Sequence, residues 1–391
     1  MAPAVDTLTE DHAAVYDRQL RVWGVEVQRR LMEAKVLVLG LGGLAAEVSK
    51  NLVLAGVGRV GLRDDTPAAA AAPGNFLVDP SAAAEGLTVA EACARTLQAM
   101  NPLMAVAVEP GPPHAAALLP AQHPHHTRHG HSHPGESEAE ALRALLSRYD
   151  LVVAVGGGAA GGGLALEQVA ALDGAARALG VGVFAGAARG PSSWVFVDLG
   201  GECEQGFGYT PKGETEQRWL RYASFRSALT GGLGGVHRRT HPLYLVLRAC
   251  WQFEEEHGRP PAGAADAPAV RAAFDRLTAA TPAAPPLPAD LLEAFVIDGA
   301  APSAAAAAGA DVAAASAAAA GLEQDAAAAA AAAGSEQEEP QGELAPVCAV
   351  VGGVVANNVL RALSAANPPL RNFFFYSYLV RDGLGLEECF M

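Results

Sequence analysis

The sequence predicts an α/β protein built on a doubly wound, mostly parallel sheet, and three observations carry that reading. The run "AKVLVLGLGG" (Ala34 to Gly43) is continuously apolar and ends in glycines, as a parallel strand buried on both faces does. Four more apolar runs, "RVGLRDD", "MAVAVEPG", "YDLVVAVGG" and "GVGVFAGAA", follow at intervals that leave room for crossover helices. Hydrophobic residues make up 51% of the 391, enough for a sizeable core.

Each element has its own local reason. "YDRQLRVWG" (Tyr16 to Gly24) reads as a helix whose apolar stripe is Tyr16, Leu20 and Trp23. At about 100° per residue Arg18 projects almost opposite that stripe, and Arg21 lies nearer its edge. After the first strand, "LAAEVSKNLVLAGVG" reads as a helix closed by Gly56. Beyond the parallel strands come an extra strand "SSWVFVDLG" and a helix "HPLYLVLRACWQFEEEHG". A last helix "APVCAVVGGVVANNVLRAL" and the strands "NFFFYSYL" and "GLEECF" complete the domain.

Two segments do not read as folded structure. Residues 111–139 hold His123, His125, His126, His129, His131 and His133 among prolines and glycines that prevent a fixed ligand geometry. No metal site is assigned there. Residues 299–343 are mostly alanine, with high helix propensity but few large side chains to dock a helix. The chain thus divides into an N-terminal part over 12–200, a helical and connecting part over 201–298, and a closing unit over 344–391, all within one domain spanning 1–391.

Bulk properties narrow the function. A formal charge of −15 with no basic patch disfavours a nucleic-acid partner. The five cysteines are scattered without CxxC or metal-type spacing, which suits a reducing compartment. No signal peptide is expected, and the long apolar stretches are diluted by alanine, glycine or charge, so no membrane partner is expected either.

The turn Gly40-Leu41-Gly42-Gly43-Leu44-Ala45 fits G-x-G-x-x-A between a strand and a helix, where glycines let backbone approach phosphates. Asp64, ending the next strand, stands where an acid reaches a ribose hydroxyl. The same glycines also permit tight strand-to-helix packing in a chain that has lost its nucleotide.

"YDRQLRVWG…LMEAKVLVLGLGGLAAEVSKNLVLAGVG" resembles the Rossmann-like half-domain shared by the E1 activating enzymes of ubiquitin-like modifiers and the sulfur-carrier adenylyltransferases of the ThiF and MoeB type. "HRRTHPLYLVLRACWQFEEEHGRPP" and the stretch from "APVCAVVGG" to "GLEECF" resemble one branch, the small subunits of SUMO-activating enzymes. The resemblance implies a pseudo-symmetric heterodimer in which one half binds Mg-ATP and adenylates the modifier, and the other half is degenerate. Active halves carry an "NLNRQ"-like stretch after the second strand and an Asp-Asn after the fourth. Here the corresponding regions read "DDTPAAAAAPGNFLVDP" and "AVGGGAAGGGLALEQ", without the groups that hold triphosphate and magnesium.

The resemblance therefore implies the inactive, regulatory half. ATP and Mg are expected mainly on the large catalytic subunit, SUMO is expected to be bound mainly through that partner, and the nucleus, with some cytoplasm, is the expected compartment. The first arginine of "YDRQ", here Arg18, is expected to cross to the partner's ATP, with Arg21 as a second candidate. Gly40, Gly42, Gly43 and Asp64 would be remnants of a nucleotide site. Cys348, among small apolar neighbours, reads as a core residue and not the thioester nucleophile. Cys203, beside acids, is expected to be exposed and a poor nucleophile. Competing readings are the regulatory subunit of the NEDD8-activating enzyme, a self-sufficient sulfur-carrier adenylyltransferase, and an NAD-dependent oxidoreductase. The missing triphosphate ligands argue against the second. The absence of a hydride-transfer acid/base pair argues against the third.

Overall fold

The computed structural model describes residues 9–113, 134–155, 164–200, 206–279, 281, 283–288, 290–297, 342–380 and 384–387. Thr9 caps the first helix, α1 (Glu10–Trp23), by accepting from His12 N. Gly24, at φ 89°, turns the chain into α2 (Val25–Glu33). The doubly wound pattern follows: β1 (Lys35–Leu39), α3 (Gly43–Ala55), β2 (Arg59–Arg63), α4 (Pro80–Ala84), α5 (Val89–Met100), β3 (Ala105–Val108), α6 (Pro134–Leu146), β4 (Leu151–Ala154), α7 (Leu166–Ala178) and β5 (Gly182–Arg189). Next come β6 (Ser192–Asp198), β7 (Phe207–Tyr209), β8 (Arg218–Leu220), α8 (Phe225–Thr230), α9 (Pro242–His257), α10 (Ala267–Ala279) and α11 (Leu291–Ile297). The last helix is α12 (Ala345–Ser364), followed by β9 (Asn372–Ser377) and β10 (Leu384–Glu387).

Eight strands form one sheet in the order β10-β9-β6-β5-β4-β1-β2-β3, with β7 and β8 as a separate hairpin. Pairings from β3 through β2, β1 and β4 to β5 are parallel, as expected. Those from β5 through β6 and β9 to β10 are antiparallel. The extra strand "SSWVFVDLG" is thus a hairpin return of β5. The pair β9–β10 extends the same sheet, so strands from late in the sequence finish what the first strands begin.

Side chains alternate across β1, as strand geometry requires. Leu37 and Leu39 face a core built with α6, α7 and α8 to α11. Val36 and Val38 face a second core built with α3, α5 and α12. The α12–α3 contact is close: a Cβ at Gly352 would lie 2.5 Å from the Glu47 Cβ. By length and composition α12 is apolar enough to cross a membrane, but 56% of its most apolar window is buried inside the fold.

Two sequence boundaries change. The helix α6 starts at Pro134, inside the stretch assigned to the histidine-rich insertion, because Glu and Ala favour helix there and Ala139, Leu142 and Leu146 share one core-facing side. At the other insertion, Gly342 and Glu343 belong to the fold, since Gly190 N donates to Gly342 O at 2.8 Å and Gly190 bridges to Glu343. The six clustered histidines, Cys203 and the alanine-rich residues up to 341 lie outside the described residues.

Candidate functional site

The carboxyl edge of the parallel strands is where a fold of this kind binds ligands. There β1 is followed by Gly40, at φ 74°, and Gly40 N donates to Arg63 O at 3.1 Å. Leu41 N donates to Asp64 Oδ2 at 3.0 Å, and Thr66 N donates to Asp64 Oδ1 at 3.1 Å. The Asn75 side-chain amide donates to Leu41 O at 2.6 Å. Asp64 is buried, and both its oxygens hold the chain's own backbone. The sequence reading placed this carboxylate toward a ribose; here it fastens the glycine turn to the segment after β2.

The turn itself is closed from two sides. Gly42 caps α3 without a capping side chain of its own. The Gly43 amide makes a short hydrogen bond to Glu343 Oε2, and Leu44 N also donates to that carboxylate. A Cβ at Gly42 would sit 2.5 Å from Glu343 Oε2, and one at Gly43 would sit 3.0 Å from Gly74 O. The glycines of the G-x-G-x-x-A turn therefore make room for this chain's own atoms. Glu343 is half-buried, with its carboxyl end inward, and burial pushes that carboxyl up to about 7 against the pull of the Gly43 and Leu44 amides. The nearby cation Lys50 is already held by Glu47 Oε2 at 2.5 Å.

A second helix at this edge shows the same arrangement. Leu166 N, opening α7 after β4, donates to Glu254 Oε2 at 2.8 Å, and Glu167 N also donates to it. Burial raises that carboxyl to about 7. Residues 156–163, where active relatives are expected to carry Asp-Asn, lie outside the described residues. Among the described residues no group of three His, Cys, Asp or Glu side chains is placed to hold a metal. Mg-ATP does not fit this turn: carboxyl groups occupy donors that phosphates would need, and among the described residues no unpaired cation faces it.

The arginines lie elsewhere, on α1. Tyr16 is buried, accepts from Asn101 Nδ2 at 2.9 Å and donates to Met104 Sδ at 3.4 Å. Gln19 Nε2 donates to Leu54 O at 3.0 Å, and Gln28 links Trp23 Nε1 to Ala55 O. These contacts fix α1 to the C-terminal ends of α3 and α5. The predicted stripe is correct at Tyr16, and Leu20 and Trp23 are half-buried. Arg21 is paired with Asp17 at 2.9 Å, one turn away. Arg18 is exposed and has no hydrogen-bond or ion-pair partner among the described residues. Val15 and Val22, exposed at 58% and 68%, flank it on the same helix face.

Comparison with known proteins adds the lineage. Residues 16–154, from Tyr16 to the end of β4, match the ThiF family. Subunit 1A of the SUMO-activating enzyme of Arabidopsis thaliana is 30% identical over 389 residues, covering 98% of this chain and 97% of the relative. The chain belongs to the SUMO-activating enzyme subunit 1 family. SUMO-activating enzyme subunit 1 from Bos taurus is 25% identical over 98% of this chain and 96% of its own length, and that from Homo sapiens is 24% identical over the same shares. Within a subunit 1 chain, Cys348 is a core residue: it is buried on α12, and burial together with Glu343 and Glu47 pushes its thiol well above the ordinary range. Glu343 and Glu254 are the site residues the sequence did not single out. Glu343 ends an alanine-rich stretch, and Glu254 sits in the run "FEEEH" with nothing to mark it from its neighbours.

Proposed function

We propose that this chain is the regulatory, non-adenylating subunit of a heterodimeric SUMO-activating enzyme, pairing with a large catalytic subunit that binds Mg-ATP and SUMO. Its own turn adenylates nothing, and its contribution to chemistry is Arg18, supplied to the partner's ATP. The observation that carries this reading is the contrast on α1. Arg21 is tied to Asp17, whereas Arg18 stands unpaired on an exposed face with Val15 and Val22. Exposed valines around a free guanidinium suit a surface that another protein covers. An arginine supplied across an interface contributes on the order of 10³–10⁵ in rate to phosphoryl transfer to water. Because pyrophosphate leaves in adenylation, a smaller effect is expected here.

The test is ATP–pyrophosphate exchange with purified SUMO, first with this chain alone and then with the catalytic subunit added. Silence alone and exchange on mixing are expected. Arg18→Ala should slow exchange by at least about tenfold in an intact heterodimer, roughly the loss of one charge-assisted contact. Arg21→Ala should change it much less. An Arg18→Ala heterodimer with wild-type exchange and ATP dependence would refute the trans role.

A further inference from the structure

We propose that the Glu343 carboxyl group takes the place of a nucleotide phosphate at the glycine turn and thereby keeps nucleotide off this subunit. The inference gives a physical cause to the reading of this half as non-adenylating, and it rests on that reading for its meaning. The glycine turn alone would say little, since glycines serve packing as readily as phosphate binding. The argument comes from where the donors at the start of α3 go.

In a phosphate-binding turn, the amides opening the helix point at the ligand. Here the Gly43 and Leu44 amides point at one carboxylate, that of Glu343. The Leu41 amide is taken by Asp64, and the Gly40 amide by Arg63 O. Space is taken as well as donors, because the Glu343 carboxylate fills the hollow that the absent Gly42 side chain leaves. The far side is shut by Gly74, whose carbonyl approaches Gly43.

The carboxylate is held in position by the backbone that carries it. The Gly190 amide at the β5–β6 turn donates to Gly342 O, and Leu344 leads directly into α12. Withdrawal of Glu343 would therefore require the start of α12 to separate from the β5–β6 turn. Charge works in the same direction. Glu47 and Asp64 are further carboxylates around the turn, and Lys50 is committed to Glu47. A triphosphate would have to displace the Glu343 carboxyl and sit among further carboxylates, with no unpaired cation at the turn among the described residues.

The test uses the full chain and inorganic phosphate as the probe. Glu343→Ala removes the carboxylate and leaves the Gly43 and Leu44 amides facing an open hollow. Its thermal midpoint should rise by about 2–4 °C more than the wild-type midpoint does when phosphate replaces chloride at equal ionic strength, the rise common to both being the general stabilising effect of phosphate. No rise beyond the wild type's in the folded Glu343→Ala chain would overturn the proposal. Glu343→Gln keeps the volume and removes the charge, and serves if the alanine variant does not fold. Its Gly43 and Leu44 amides should exchange hydrogen at least about tenfold faster than in the wild type. Unchanged exchange would show that the carboxylate is not what holds them. Neither measurement involves SUMO or the catalytic subunit, so failure here is distinct from pyrophosphate exchange by the isolated chain, which would refute the non-adenylating reading.

Discussion

Tyr16→Phe removes a single oxygen from the helix that carries Arg18. The Asn101 side-chain amide has two hydrogens, one donated to Tyr16 Oη at 2.9 Å and the other to Val53 O at 2.9 Å. Both residues are buried, so without the hydroxyl one amide hydrogen is stranded away from water. A buried donor left unpaired costs about 1–3 kcal/mol, and the ring itself stays in place over Gly56. Urea unfolding should therefore show a loss of about 1–2 kcal/mol at unchanged m-value. Removing the amide as well, in Tyr16→Phe with Asn101→Ala, should cost less than the two single losses added, by about 0.5–1.5 kcal/mol. Two single losses that simply add would mean the pair is not coupled. A Tyr16→Phe chain with the wild-type midpoint would refute the claim that this hydrogen bond fastens α1.

Three other substitutions probe the same framework. Gly56→Ala should destabilise by more than about 1 kcal/mol in thermal unfolding, because φ is 86° and the new Cβ would meet the Tyr16 ring and the Gln28 amide at 2.7 Å; a neutral result would mean that α1 shifts freely. Burial raises the Glu254 carboxyl from near 4.5 to about 7, so between those pH values the unfolded chain has released a proton that the folded chain keeps. Stability should fall as pH rises through that window and level off above it, and Glu254→Gln should remove about 2–4 kcal/mol of that fall in urea titrations at pH 5 and 8; an unchanged slope would assign it to other groups. Cys93 and Cys250, both pushed up to about 12 by burial, and Cys348 should stay unalkylated by N-ethylmaleimide in the native chain. Cys348→Ala should leave thioester formation by the heterodimer intact, and loss of the thioester in a folded dimer would refute its placement in the core.

Much of the fold was legible because periodicity and local chemistry agreed. The apolar run to Leu39, the glycines after it and Gly56 fix β1, the turn and α3 without tertiary information. Tyr16 was legible as a core residue from its place in the helical stripe, which left Arg18 outward by geometry alone. The antiparallel return of β6 was not legible, since an apolar run carries no direction, and only the tight turn at Gly190 and Pro191 imposes one. Asp64 was readable as important but not in its role: a carboxylate after a strand serves a ribose or a backbone amide equally well until its neighbours are known. Glu343 was hidden for a different reason. Its partner Gly43 is 300 residues away, and no local pattern encodes a contact of that span.

That separation also bears on how the chain is made. The N-terminal strands and α3 leave the ribosome long before α12, which covers α3, and β9, which pairs with β6. At roughly 5–20 residues per second, the gap between Gly43 and Glu343 corresponds to roughly 15–60 s of synthesis. Throughout that interval the face of α3 built from Ala45, Val48 and Leu52 has no α12 to pack against, and the edge of β6 has no strand beside it. A nascent chain in this state is a natural client for chaperones, and a premature stop before α12 would release it uncovered.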